Sequence, residues 1–123
     1  MRLDRLKAFA LSLPRTTVVK QWGECLVLKV VDKMFLLIPL DGGVMNGLSL
    51  KCPPEAFDDL TATDGISQAP YAAKRHWVRI EEDALPEPEL RRLIRRSLDL
   101  VVAKLPRKVQ ATLGEGGTIR PAE

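Results

Sequence analysis

Two apolar runs separated by only two residues constrain this chain more than any other feature. In Glu24–Val30, Leu26, Leu28 and Val30 recur at every second position, the period of a strand with one covered face. Lys33–Leu40 follows, and its Met34-Phe35-Leu36-Leu37-Ile38 segment is apolar throughout, as in a central strand covered on both sides. The Val31-Asp32 link is far too short for a parallel crossover, so the two runs form an antiparallel hairpin. Asp32 suits such a turn because it tolerates positive φ better than most residues.

The rest of the chain arranges itself around this hairpin. Leu3, Leu6, Ala10 and Leu13 mark a helix over residues 2–13, which Pro14 ends. Thr16-Thr17-Val18-Val19 reads as a first strand and Gln21-Trp22-Gly23 as its turn. Pro39 is expected at the end of the third strand, since it cannot donate to a ladder. Asp41-Gly42-Gly43 is a loop, and Gly47–Lys51 is a fourth strand with Leu48 and Leu50 inward. Pro53-Pro54-Glu55 opens a short helix running to about Thr61–Thr63. Residues 64–69 read as irregular, with Ile66 as a core anchor, and a fifth strand ends at Ile80. The longest helix spans Pro86–Leu105, with Leu90, Ile94, Leu98, Val101 and Leu105 on one stripe and Pro106 as its stop. Residues 1–108 thus make one domain, and residues 109–123, glycine-rich from Gly114, read as a disordered tail. The predicted fold is an α+β two-layer sandwich: a mainly antiparallel five-stranded sheet with helices on one face.

With 123 residues, the chain can bury one core without staples. Its two thiols, Cys25 and Cys52, lack C-x-x-C spacing and fit reduced, buried cysteines of a cytoplasmic protein. The apolar run Ala8–Leu13 is too short for a signal peptide or a bilayer span, so no membrane association is expected. A net charge of +3 is too small to imply a polyanionic partner by itself, but the charges are segregated. Residues 65–80 hold Lys74, Arg75 and Arg79 with no acid, and residues 91–108 are basic apart from Asp99. Clustering of this kind can build a basic face on a nearly neutral protein.

The stretch Pro70–Ile80 concentrates the chemistry. On a strand, His76, Val78 and Ile80 share one side, and Arg75, Trp77 and Arg79 share the other. One reading has Val78 and Ile80 in the core and the arginines solvated around a half-buried indole. The other makes two cations around Trp77 a platform for an anionic or aromatic ligand.

Several short stretches, taken in order, match one family. They are Ser12-Leu13-Pro14, Gln21-Trp22-Gly23, Lys33-Met34-Phe35, Ser49-Leu50-Lys51-Cys52, Pro70-Tyr71 with Lys74-Arg75-His76-Trp77-Val78, and Ser97–Leu105 followed by Pro106. Over roughly residues 3–108 the chain resembles the MmcQ/YjbR family of small bacterial proteins. That resemblance implies a CyaY-like α+β fold and a DNA-binding role, and marks Lys51, Tyr71, Lys74, Arg75, His76 and Trp77 as family-typical. Val31-Asp32 departs from the glycine usual in that family's hairpin link.

The fold name also brings a rival, because frataxin-like proteins bind iron through acid-rich surfaces. The first helix offers Asp4 beside Arg2, Arg5 and Lys7, which is the wrong donor set for a hard cation. No metal site and no cofactor are expected. A catalytic reading lacks support too: His76 is the lone histidine, and no P-loop, G-x-G-x-x-G, H-E-x-x-H or G-x-S-x-G occurs. The sequence therefore leads to two non-enzymatic readings. In the first, Lys51, Lys74, Arg75 and Arg79 neutralise phosphates of duplex DNA, bound weakly and non-specifically, while Trp77 or Tyr71 reads or stacks on bases. In the second, Trp22, Tyr71, His76 and Trp77 line a cleft for a small ligand or a protein partner.

Overall fold

The computed structural model describes residues 3–69 and 77–116, with residues 112–116 described at the backbone level alone. The elements run α1 (Leu3–Leu11), β1 (Thr16–Gln21), β2 (Cys25–Val30), β3 (Lys33–Asp41), β4 (Val44–Met45) and β5 (Leu48–Lys51). A 3-10 turn over Pro54–Ala56 leads into α2 (Phe57–Thr61), followed by β6 (Ile66–Gln68), β7 (Trp77–Ile80), α3 (Glu87–Val102) and α4 (Arg107–Gly116). The strands form one antiparallel sheet in the order β1-β2-β3-β5-β7-β6, with β4 paired to β3.

The α+β architecture is as the sequence predicts, but among the described residues the sheet has seven strands rather than five. Both additions are short. β4 closes a hairpin through Gly42 and Gly43, at φ 61° and 85°. β6 buries only Ile66 and pairs as an edge with β7, so it carries too little periodicity to be seen in sequence. Pro39 lies inside β3 rather than at its end. Its carbonyl accepts from the Asn46 N–H at 2.8 Å, so its nitrogen faces the gap where β3 passes from β5 to β4, and no rung is lost there.

The hairpin link is a two-residue turn with Val31 at φ 48° and Asp32 at φ 66°. Asp32 accommodates this readily. Val31 does not, because a β-branched side chain in the left-handed region is strained. Packing of Val31 against the core opposes that strain. Past the turn, β3 carries a bulge: Leu28 pairs with Leu36 and Lys29 with Met34, so Phe35 is the extra residue.

Leu6 and Ala10 of α1, and Leu90, Ile94, Leu98 and Val101 of α3, share one core with Leu28, Val30, Phe35, Leu36, Ile38, Leu48, Leu50, Val78 and Ile80 of the sheet. At about 1.5–3 kcal/mol per fully buried large apolar side chain, this layer supplies the main driving force for folding. α3 ends at Val102, three residues before the predicted end, although Leu105 is still buried. Pro106 then starts a helix as well as stopping one. Its carbonyl accepts the amides of Val109 and Gln110 at 2.9 and 3.0 Å. α4 thus occupies residues 107–116, of which 109–116 fall in the stretch the sequence reads as a disordered tail. The Gln110 side-chain amide donates to the Leu105 carbonyl at 2.6 Å, giving a partner to backbone just beyond α3. Residues 117–123 lie outside the described residues.

Candidate functional site

Four elements end at one place on the molecule. β5 and β7 are antiparallel, so Lys51 at the end of β5 lies opposite Trp77 at the start of β7. β3 begins on that same edge with Lys33 and Met34. The C-terminal end of α3 comes down beside them, followed by Lys104 and Leu105. Together Lys33, Met34, Lys51, Trp77, Val101, Lys104 and Leu105 line a depression of about 250 Å³. Three lysines, from β3, from β5 and from just past α3, therefore share this lining with apolar side chains, with no carboxylate among the described lining residues. Among the described residues, no ion pair engages Lys33, Lys51 or Lys104.

The electrostatics follow from this placement. Partial burial lowers the Lys51 pKa below the ordinary lysine value, and the positive charge of Lys104 lowers it further. Crowded like charges of this kind are relieved when an anion binds between them. The Lys51 backbone is fixed by α3, since its N–H donates to the Ser97 hydroxyl, which donates in turn to the Phe35 carbonyl.

The residues predicted from sequence divide into three groups. Lys51 and Trp77 lie together in this site. Arg79 does not belong to it. Its guanidinium donates to the Asn46 carbonyl at 2.9 Å and to Asn46 Oδ1 at 3.3 Å, and pairs with Glu81 at 3.3 Å. It wraps so closely over Gly47 that a Cβ there would meet it at 2.7 Å. Arg79 is thus a clamp on the turn before β5, already satisfied by protein acceptors. Lys74, Arg75, Tyr71 and His76 lie outside the described residues.

Trp22 is remote from Trp77. It sits 67% exposed on the β1–β2 turn, beyond the Gln21–Cys25–Pro39 row at the opposite end of the strands. β1 and β7 are also four strand spacings apart, at about 4.8 Å each. The two indoles cannot line one cleft, so the four-aromatic arrangement is corrected on that point. Arg91, Arg92 and Arg95 of α3 are likewise engaged. Arg92 pairs with Glu89, Arg95 with Asp99 at 3.3 Å, and Arg91 with Glu87 at 2.9 Å while lying 5.0 Å over the Phe9 ring. Both thiols are pushed up, mainly by burial, with Glu55 adding to the effect at Cys52. Neither has the depressed pKa of a nucleophilic cysteine. The described residues hold no group of three or more His, Cys, Asp or Glu side chains placed to share a metal ion. Nor does any described helix have the length and apolarity to cross a membrane.

Lys33 and Lys104 are the site residues that sequence reasoning missed. Lys33 reads as an ordinary strand start and Lys104 as a complement to the helix dipole. Their shared place depends on the pairing of β3 with β5 and on the packing of α3 against both strands.

A family model described as YjbR matches residues 11–100. The chain belongs to the YjbR family. The match includes Lys33, Lys51 and Trp77, whereas Lys104 lies just beyond it. Among YjbR relatives, the chain is 36% identical over 88 residues to the uncharacterized protein YyaQ of Bacillus subtilis, covering 70% of this chain and 71% of that one. In structure it resembles Deinococcus radiodurans DR2400, described as a DUF419 domain. The TM-score is 0.82 at 27% identity, over 92% of this chain and 88% of the other. A Pseudomonas syringae protein shares the fold with a TM-score of 0.68 at 23% identity, over 81% of this chain and 98% of that one.

Proposed function

We propose that this YjbR protein is a non-catalytic, cytoplasmic DNA-binding protein that holds phosphates through Lys33, Lys51 and Lys104 around Trp77. One observation carries the reading: these lysines converge from separate elements without carboxylate partners among the described residues, while Arg79, Arg91, Arg92 and Arg95 are paired. Lysine ammonium groups act as point charges for phosphate, and an adjacent indole offers a face to a base. The test is a salt titration of binding to a labelled oligonucleotide. Three phosphates neutralised imply a log–log slope of about −2 to −3. A flat slope, or no binding at low salt, would remove the reading.

The concave form of the site favours a second reading, a small anionic ligand seated in the depression. Competition separates the two. A small anion that displaces DNA only at bulk-salt concentrations argues for DNA, whereas displacement at micromolar concentration argues for the small ligand.

A further inference from the structure

The lysines lie around a recess rather than along a flat track, and the recess has a ring in its wall. Trp77, Met34, Val101 and Leu105 provide its apolar lining, and its volume of about 250 Å³ falls slightly below the range typical of drug-sized ligand pockets. That is space for one flat ring system. Duplex DNA cannot use it well. Its phosphates lie outside while its base faces are covered by neighbouring bases, and reading base edges requires an element that projects into a groove. Among the described residues no element projects here: the indole is half-buried in β7, and they shape the site as an indentation. A single strand presents both things that the recess accepts, a free base face and flexible flanking phosphates.

From this we infer that the site takes single-stranded DNA in preference to duplex, seating one unstacked base against Trp77 while Lys33, Lys51 and Lys104 hold the phosphates on either side. The inference rests on the DNA reading above and adds the form of the partner. Met34 forms part of the lining beside the ring, and its flexible thioether suits bases of different size, so little sequence preference is expected.

The test compares a labelled twelve-nucleotide oligothymidylate with a twelve-base-pair duplex at one salt concentration. The single strand should bind at least tenfold tighter. Trp77→Ala should lose about 10- to 100-fold on the single strand and leave the duplex within twofold. Trp77→Phe, which keeps a ring and guards against a folding defect, should retain most of the affinity. Trp22→Ala, at the far hairpin, should change neither. The chain has two tryptophans, so a Trp22→Phe variant leaves Trp77 as the sole indole reporter. Its fluorescence should quench with oligothymidylate and not with duplex. Equal affinity for both forms, or an equal loss on both in Trp77→Ala, overturns the single-strand inference while leaving DNA binding intact. Absence of binding to either form at low salt overturns the DNA reading as well.

Discussion

The Ser97 hydroxyl lies 2.9 Å from the Lys51 nitrogen and accepts its hydrogen bond, while donating to the Phe35 carbonyl at 2.6 Å. The bulge at Phe35 breaks the regular pattern of β3 close to where Lys51 leaves the ladder, and a fully buried side chain from α3 fills the gap. One hydroxyl thus links the helix to two strands and holds the backbone of a site lysine. Ser97→Ala would leave a buried N–H and a buried carbonyl without that partner. It should destabilise the protein by about 1–3 kcal/mol in urea denaturation. It should also weaken oligonucleotide binding, because the Lys51 backbone loses its support.

Lys51 is held in a setting that disfavours its charge, so Lys51→Met should raise Tm while lowering anion affinity. Because the folded-state pKa lies below the unfolded value, the charged lysine disfavours folding at neutral pH. That penalty is relieved as pH rises through the folded pKa, where the unfolded chain binds more protons. Anion affinity has the opposite dependence. It is full below the Lys51 pKa and falls as pH rises through it. Thermal melts and binding isotherms between pH 7 and 10 check both signs.

Arg79 separates architecture from binding. Arg79→Ala removes the clamp on Asn46 and should cost about 1–2 kcal/mol, with most of the loss from its hydrogen bond to a backbone carbonyl rather than from the exposed pair with Glu81. Under equal salt, its oligonucleotide affinity should stay within twofold of wild type. A tenfold loss in a folded Arg79→Ala protein would return this arginine to the binding surface.

Glu87 ties α1 to the start of α3. The Arg5 guanidinium, donating at 2.6 Å, holds its carboxyl below the usual glutamate range, and Arg91 assists. The stability from this depressed pKa is present above the unfolded value and is lost as pH falls through the folded one. Glu87→Gln should therefore lower Tm at pH 7 and converge on wild type in acid. A constant difference across that range would show that charge is not the cause.

Individual elements show how far the sequence could be read. The hairpin is legible because alternation and link length admit only one pairing, and α3 because Leu90, Ile94, Leu98 and Val101 keep one stripe. β6 was hidden because three residues with one buried side chain have no period. Pro106 reads as a terminator because its ring disfavours helical geometry in the residue before it, yet its own fixed φ suits the start of another helix. At the depression, Lys51 enters the sequence reading through the family resemblance and Trp77 also through the alternation of its strand. Arg79 reads as a free cation because side-chain type cannot tell a cation awaiting a partner from one already wrapped around a turn. Lys33 and Lys104 depend on tertiary placement, which no local pattern encodes.

The most direct test is the salt dependence of oligonucleotide binding in the triple variant Lys33→Gln, Lys51→Gln, Lys104→Gln, measured beside wild type. Convergent lysines predict that the log–log slope flattens by about 2–3 and that affinity at low salt falls by at least tenfold. An unchanged slope in a folded triple variant would contradict the account.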